Sequence, residues 1–146
     1  MAVDHHNLEE RLTTEVETMH TFIAAWFRGE MTADKCLFER EFTSRLAIDM
    51  VNIQPSGSVL TRDRLAQSIF QGHGTNKRFQ IQIHDCQLRY MCSARLTAVA
   101  TYVESQRNAK NTVPADNDRI STAVFGLSDG GSGLRWVHLH ETARSR

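Results

Sequence analysis

The end of the chain carries the clearest pattern of hydrophobic and polar positions. Residues 119–127 and 133–142 both alternate strictly between large apolar and polar side chains, which is typical of β-strands that bury one face. The segment 128–133 that joins them is rich in glycine. The pattern therefore predicts a β-hairpin at the end of the chain.

The front of the chain has a helical pattern instead. Apolar residues recur three and four positions apart over residues 7–28, which predicts one long amphipathic helix. They are Leu8, Leu12, Val16, Met19, Ile23, Trp26 and Phe27. Asn7 and Glu10 have the spacing of an N-terminal capping box, and Gly29 supplies a C-terminal stop.

Shorter elements follow this helix. Thr32 and Thr61 are candidate N-caps of two further helices. The run 46–53 between them is too short and too apolar for a surface helix, which favours a first strand. Residues 79–86 and 95–104 alternate in the same way as the end of the chain and are predicted to be long antiparallel strands.

Composition limits the domain count and the partners. A chain of 146 residues, 40% of them hydrophobic, suits one domain over residues 1–146, with a mobile hairpin tip expected at the polar segment 105–118. Lys and Arg balance Asp and Glu at 17 each, so neither nucleic acid nor an acidic membrane is an expected partner. The three cysteines lack a Cys-x-x-Cys spacing, which favours reduced thiols and a cytoplasmic location.

The order helix, helix, strand, helix and four-strand meander resembles the nuclear transport factor two-like superfamily, which includes ketosteroid isomerase, the SnoaL polyketide cyclases and the association domain of calmodulin-dependent kinase. The resemblance rests on Phe42 and the strand after it, on the turn Pro55-Ser-Gly57, on the helix after Thr61, and on the ending Val137-His-Leu-His-Glu-Thr142. That ending is similar to the Val-His-Phe-His-x-Ser close of the kinase association domain.

This resemblance implies an α+β, cone-shaped roll. Three N-terminal helices, with one strand among them, would pack on a strongly curved, mainly antiparallel sheet and enclose a pocket. Homodimers that form through the outer sheet face are usual in the family, and no cofactor is expected. A sheet with one apolar face also needs a helix to cover it, and the aromatic stripe of the first helix is suited to that role.

The pocket of such a cone would be lined from the first helix and the later strands. The expected ligand-binding residues are Phe22, Trp26, Tyr102, Glu104, Phe125 and His140. Aromatic stripes on helices are more often buried core than ligand contacts. A charged strand residue such as Glu104 more often pairs across the sheet, here with Arg95, Arg107 or Arg119.

Asp49 is the first candidate for acid–base chemistry. It lies within the apolar run 46–53, where desolvation would disfavour its ionised form, and the resemblance to the isomerases places an aspartate base on this strand. Those enzymes also need a tyrosine on the first helix, and the matching position here is close to Phe22. They need a second acid on the next-to-last strand, and residues 119–127 contain no carboxylate. Asp49 is therefore a candidate base for a different isomerase, cyclase or dehydratase, or else a carboxylate paired at the strand rim.

Three histidines complete the candidate chemistry. His138 and His140 are expected on one face of the last strand with Trp136, and His84 lies on another predicted strand. His84 and His138 are candidate assistants to a base. A metal bound by the pair would need His84 or Asp85 as a third ligand, and this incomplete set predicts no metal site.

Three functions fit this sequence. The favoured one is binding of a small apolar organic molecule in the cone pocket. The alternatives are cofactor-independent acid–base catalysis with Asp49 as the base and a non-catalytic oligomerisation module. They differ in whether Asp49 lines an enclosed cavity and whether a space remains between Trp26 and the last strand.

Overall fold

Three helices and a six-stranded sheet make up the structure, a computed structural model that describes residues 4–128 and 133–145. The elements in chain order are α1 (His5–Arg28), α2 (Lys35–Glu41), a 3-10 turn (Thr43–Arg45), β1 (Leu46–Ile53), β2 (Val59–Thr61), α3 (Arg62–Gln71), β3 (Gln80–Cys92), β4 (Thr97–Arg107), β5 (Asn117–Leu127) and β6 (Leu134–Arg144). The predicted α+β class, with one strand placed among the helices, is confirmed, and the short β2 is an addition.

Helix α1 begins earlier than its sequence pattern predicted. The Asp4 side chain accepts a hydrogen bond from the His6 amide at 3.0 Å and is the N-cap, so the predicted cap at Asn7 is wrong. The predicted stop is confirmed, because Gly29 adopts a left-handed conformation with φ 75°, which glycine reaches at little cost. A longer helix results, and its apolar stripe covers the sheet.

Of the two N-caps predicted for the shorter helices, one is wrong and one is confirmed. Asp34 rather than Thr32 caps α2, accepting from the Cys36 amide at 2.9 Å. Thr61 caps α3 as predicted, accepting from the Arg64 amide. Both carboxylate caps were missed because a second capping residue lies close to each helix start, Asn7 after Asp4 and Thr32 before Asp34, and spacing does not rank them.

The sheet has the strand order β2-β1-β6-β5-β4-β3. All neighbours pair antiparallel except β1 and β6, which are parallel. The predicted terminal hairpin is confirmed by the pairing of Leu127 with Leu134, although residues 129–132 of its connection lie outside the described residues. Strand β3 runs beyond the predicted end because two register irregularities near Asp85 and Arg89 absorb the break in its alternation.

The core lies between α1 and the concave face of the sheet. Trp26 is completely buried, and the rings of Phe22, Phe38, Phe70 and His73 surround it at centroid distances of 4.6–5.7 Å. Burial of one large apolar side chain contributes about 1.5–3 kcal/mol. This end of the fold is therefore filled by aromatic rings.

A β-bulge at Val137 changes the facing of the last strand. Phe125 pairs with Trp136 but Val124 pairs with His138, so one extra residue lies on β6. A bulge moves every following side chain to the opposite face. Leu139 and Glu141 therefore point inward, and the expectation that His138 and His140 share a face with Trp136 is wrong.

A second irregularity affects β1. Leu46 pairs with Trp136 while Val51 pairs with His138, so the strand bulges between these positions. Ile48 is 82% exposed and Asp49 is exposed beside it. The expected desolvation of Asp49 is therefore wrong, because the bulge turns this part of the apolar run outward.

Within the described residues, none of the helices combines the length and the apolar character that a membrane crossing requires.

Candidate functional site

Polar side chains are concentrated at one end of the concave face, beneath α1. We call these residues the interior cluster: His20, Asn52, Tyr102, Glu104, Gln106, Asn117, Arg119, Ser121 and Glu141. All but Arg119 are buried, and Arg119 is only partly exposed. Strand register brings them together, because β4 and β5 place Tyr102 beside Ser121 and Glu104 beside Arg119.

His20 and Glu104 form a buried ion pair. The distance from His20 Nε2 to Glu104 Oε1 is 3.2 Å, with side chains only 7% and 4% exposed. The other ring nitrogen, Nδ1, lies 2.7 Å from the Val16 carbonyl oxygen, which can only accept, so Nδ1 carries a proton. A proton on Nε2 as well makes the ring an imidazolium opposite a carboxylate.

Charge stabilisation outweighs burial in this pair. Burial alone would lower the pKa of His20, but the Glu104 carboxylate raises it above its ordinary value. Burial alone would raise the pKa of Glu104, but His20, Arg119 and Gln106 lower it to about 2. Each shift favours the charged form of its group.

Arg119 joins this pair to a second carboxyl group. It donates from Nη2 to Gln106 Oε1 and from Nη1 to Glu141 Oε1, and both distances are 3.3 Å. Gln106 in turn donates to Glu104 Oε2 at 2.7 Å. The two carboxyl groups are thus linked through one guanidinium and one amide.

Glu141 differs from Glu104 in its proton affinity. Asn52 donates to Glu141 Oε2 at 3.1 Å, yet burial and the negative charge of Glu104 raise the pKa of Glu141. Two nearby carboxyl groups with pKa values moved in opposite directions are typical of acid–base sites. One of them is suited to hold a charge and the other to hold a proton.

Three buried polar atoms in the cluster lack a hydrogen-bond partner among residues 4–128 and 133–145. They are Tyr102 Oη, Arg119 Nε and Ser121 Oγ. Burial and the charge of Glu104 raise the pKa of Tyr102 well above its ordinary value, so its hydroxyl keeps its proton. An unsatisfied buried group costs about 1–3 kcal/mol. A ligand that made hydrogen bonds to these atoms would recover part of that cost.

A separate group of three side chains, Glu15, Arg45 and Trp136, fixes α1 to the sheet. Glu15 receives Arg45 Nη1 at 2.8 Å and Trp136 Nε1 at 3.1 Å. All three groups satisfy one another, and no unpartnered atom lies among them. This contact supports the fold and is not part of the interior cluster.

The predicted ligand-binding residues divide into two groups. Tyr102 and Glu104 share the concave face as predicted, and the cross-strand neighbour of Glu104 is Arg119, one of the alternatives considered from the sequence. Phe22, Trp26 and Phe125 belong to the buried core. His140 lies exposed on the outer face because of the bulge at Val137.

The predicted catalytic residues do not come together. Asp49 and His84 are exposed, and His138 is half-buried on the outer face. His84 Nε2 lies 2.8 Å from the Ser105 hydroxyl oxygen, which is not a member of the interior cluster. Within the described ranges, no group of three His, Cys, Asp or Glu side chains has an arrangement that would hold a metal ion.

Surface depressions do not coincide with the expected pocket. One of about 300 Å³ lies on α1 against Thr14, Glu17, Thr18 and Thr21. Another of about 290 Å³ lies between α1, β3 and β4, against residues that include Arg28 and Arg107. Neither is lined by Trp26 or by the last strand.

Several members of the cluster were missed by the sequence reasoning. His20 follows Val16 by four positions and so lies on the apolar stripe of α1, and a histidine in such a stripe is a usable signal. Glu141 gave no signal, because strict alternation from Trp136 places it outside. Its inward direction depends on the bulge.

No family model matches the sequence, and no curated protein matches it significantly. Solved structures do match. An NTF-2-like protein of unknown function from Pseudomonas aeruginosa has 25% identity and a TM-score of 0.78, covering 92% of this chain and 99% of its own. A protein of the NTF2-like family from Streptomyces avermitilis, to which a dehydratase activity is ascribed, has 14% identity and a TM-score of 0.71, covering 97% and 99%.

A third match is the association domain of CaMKII from C. elegans, with 12% identity and a TM-score of 0.68, covering 94% of this chain and 97% of that domain. Structures with different roles thus share this arrangement over nearly the whole chain. The comparison establishes the fold, and function has to be argued from the residues.

Proposed function

Because the chain has the NTF2-like fold and buries ionisable groups inside it, we propose that it binds a small organic molecule that carries hydroxyl or carbonyl oxygens at the interior cluster. The observation that carries this proposal is the set of three unpartnered buried atoms on Tyr102, Arg119 and Ser121. Two hydroxyls and one N–H group are available as donors to ligand oxygens.

The energetics of the cluster support a functional role. Burial of charged groups costs several kcal/mol per ion before pairing, and an apolar core of the same volume is often more stable. Four ionisable side chains are nevertheless gathered here: His20, Glu104, Arg119 and Glu141. Perturbed pKa values collected on one concave face are typical of binding and catalytic sites.

The surroundings favour a ligand with an apolar part as well. Beside Tyr102 and Ser121 the same face continues with the small residues Ala100 and Ala123, and then with Phe125. A purely apolar molecule, as expected from the sequence, would leave the unpartnered atoms unsatisfied. An apolar body with one oxygenated end would suit both parts of the face.

Acid–base turnover of this ligand is the finer part of the proposal. His20 as imidazolium is a candidate general acid, and Glu141, whose pKa is raised, is a candidate proton acceptor nearer its working range than an ordinary glutamate. Isomerisation and dehydration both need such a pair. The dehydratase activity ascribed to the S. avermitilis protein supports the same reaction class.

Ligand-observed NMR with a panel of small hydroxyketones and phenols tests the proposal. Ser121→Ala and Tyr102→Phe each remove one hydroxyl and leave the hydrogen bonds of Glu104, Arg119 and Glu141 intact, so they should fold normally. We expect each to weaken binding of a panel compound about tenfold, whereas Tyr90→Phe, on the outer face, leaves it unchanged. A panel without binders, or binding equal in all variants, would contradict the proposal.

We also propose that the chain forms a homodimer through the outer sheet face. Tyr90, Val99, Val124 and His138 lie side by side across β3, β4, β5 and β6. Tyr90 is 59% exposed, and Val137 beside this row is 36% exposed. Association would remove this apolar surface from water, and the C. elegans match is itself an association domain.

Sedimentation velocity tests the dimer. Tyr90→Glu should shift the wild-type species from dimer to monomer, because it would bury a charge in the interface. The matched control is Val113→Glu, since Val113 is 97% exposed and lies away from this face. A monomeric wild type, or a Tyr90→Glu variant that remains dimeric, would refute this interface.

A further inference from the structure

The segment between β4 and β5, residues 108–116, lies at the end of the sheet where the interior cluster comes nearest to solvent. Among the ionisable side chains of the cluster, Arg119 is the most exposed at 16%, against 9% for Glu141, 7% for His20 and 4% for Glu104. The opposite end is closed by fully buried apolar residues such as Phe125. Among these side chains, Arg119 therefore offers the nearest approach from solvent.

The tip of this segment covers that approach. Thr112 Oγ1 accepts a hydrogen bond from Arg119 Nη2 at 3.2 Å. The Pro114 carbonyl accepts from Asn117 Nδ2 at 3.3 Å, and the same amide reaches Gln106 Oε1 at 3.4 Å. The Thr112 bond is at the upper end of the ordinary N–H···O range and the other two exceed it, and hydrogen bonds weaken as they lengthen. The tip is thus joined directly to two members of the cluster by contacts that are easily broken.

The base of the segment is held much more firmly. Asn76 donates to the Asn108 carbonyl at 2.7 Å, and Asn108 donates to the Arg78 carbonyl at 3.0 Å. Ala109 is buried against Phe79 and Ala24. Val113 at the tip, by contrast, is 97% exposed. A fixed base with a weakly held tip allows the tip to move alone.

We propose that residues 111–115 are a gate over the interior cluster, held closed by the contact between Thr112 and Arg119. Opening breaks this contact and gives a ligand access to the guanidinium, where a ligand oxygen takes the place of Thr112 Oγ1. The sequence predicted a mobile tip over residues 105–118. The gate is confined to the middle of that segment, because β4 extends to Arg107 and β5 begins at Asn117. The ligand step rests on the proposed function, but the opening does not.

Thiol accessibility measures the opening without any ligand. Ser121→Cys introduces a buried thiol in the cluster, in a chain whose three native cysteines are replaced by alanine. Methyl methanethiosulfonate, which is small and uncharged, is the probe. Thr112→Val removes the hydroxyl that accepts from Arg119 and should raise the labelling rate about tenfold. Thr122→Val, on the exposed face of β5, should leave the rate unchanged.

The outcomes separate the gate from global unfolding and from ligand binding. Labelling through the gate should depend little on low denaturant concentrations, whereas labelling through unfolding rises steeply with them. A steep dependence in all variants, or equal rates for Thr112→Val and Thr122→Val, overturns the gate. If Thr112→Val labels faster but no panel compound binds the wild type, the gate stands and the proposed ligand function fails.

Amide hydrogen exchange gives a second measurement that needs no cysteine. In the wild type the Ala109 amide donates to the Ala115 carbonyl at 3.0 Å and closes the segment. Thr112→Val should speed exchange within residues 109–116 and leave the amides of β5 unchanged. Equal exchange in the two proteins would overturn the proposal even if Ser121→Cys failed to fold.

Discussion

His20 Nε2 lies 3.2 Å from Glu104 Oε1 in a place where both side chains are almost fully excluded from water. A helix residue and a strand residue thus hold opposite charges in the interior. Attraction between such charges offsets a large desolvation cost only while both partners are present. The pair is therefore a sensitive point for both stability and protonation.

Replacement of Glu104 by glutamine should destabilise the protein. The change keeps the size of the side chain but leaves the buried imidazolium without its carboxylate, for which a loss of about 3–5 kcal/mol is typical. Urea unfolding at neutral pH measures the free energy of unfolding. Glu39→Gln, on the exposed face of α2, is the control and should change little. Similar small effects of both substitutions would mean that the pair contributes little.

The same substitution should reverse the direction of the His20 pKa shift. In the wild type the Glu104 carboxylate keeps the pKa of His20 above its ordinary value despite burial. Without that charge, burial becomes the dominant cause and the pKa of His20 falls below the ordinary value. Histidine NMR titration of the two proteins measures this. A His20 pKa that stays raised in Glu104→Gln would be inconsistent with the assigned cause.

Stability should fall in acid because of Glu104. Its pKa is 4.5 in the unfolded reference and about 2 in the folded protein. A depressed folded pKa contributes stability above the unfolded value, and this contribution is lost as pH falls through the folded one. The stability difference between wild type and Glu104→Gln should therefore shrink between pH 4.5 and about 2. A difference that remains constant over this window would argue against a depressed pKa.

The regular parts of this fold were open to prediction from the sequence. Helix α1 and the terminal hairpin follow from long periodic patterns, and the β1 bounds were predicted correctly. The bulges at Val137 and near Ile48 were not predictable, because one extra residue has no composition of its own and its energy depends on the neighbouring strand. These two bulges account for the wrong placements of Asp49, His138 and His140.

The register of β6 can be checked with two neighbouring substitutions. Leu139 is buried and His138 lies on the outer face, the reverse of what strict alternation from Trp136 predicts. Leu139→Asn should therefore cost about 2–5 kcal/mol through a lost apolar contact and a buried amide. His138→Asn should cost much less. Urea unfolding measures the free energy of unfolding of both variants. A larger loss of stability for His138→Asn than for Leu139→Asn would mean that the assigned facing of β6 is wrong.

Glu141 provides the last prediction, because its pKa shift has the opposite sign to that of Glu104. Burial and the nearby negative charge raise its folded pKa, so its contribution to stability is present below the unfolded value and is lost as pH rises through the folded one. Glu141→Gln cannot ionise, and its single side-chain oxygen can accept from Asn52 or from Arg119, which donate to different oxygens of the wild-type carboxyl group. The variant should therefore gain stability relative to wild type as pH rises from 4.5 towards neutrality.

Urea unfolding of wild type and Glu141→Gln across that range measures the trend, and Glu39→Gln is again the matched control. Opposite pH trends for Glu104→Gln and Glu141→Gln would show that Glu104 keeps its charge further into acid, whereas Glu141 takes up a proton more readily than an ordinary glutamate. Parallel trends would mean that Glu141 is an ordinary paired carboxylate, and they would remove it as the proton acceptor of the proposed acid–base pair.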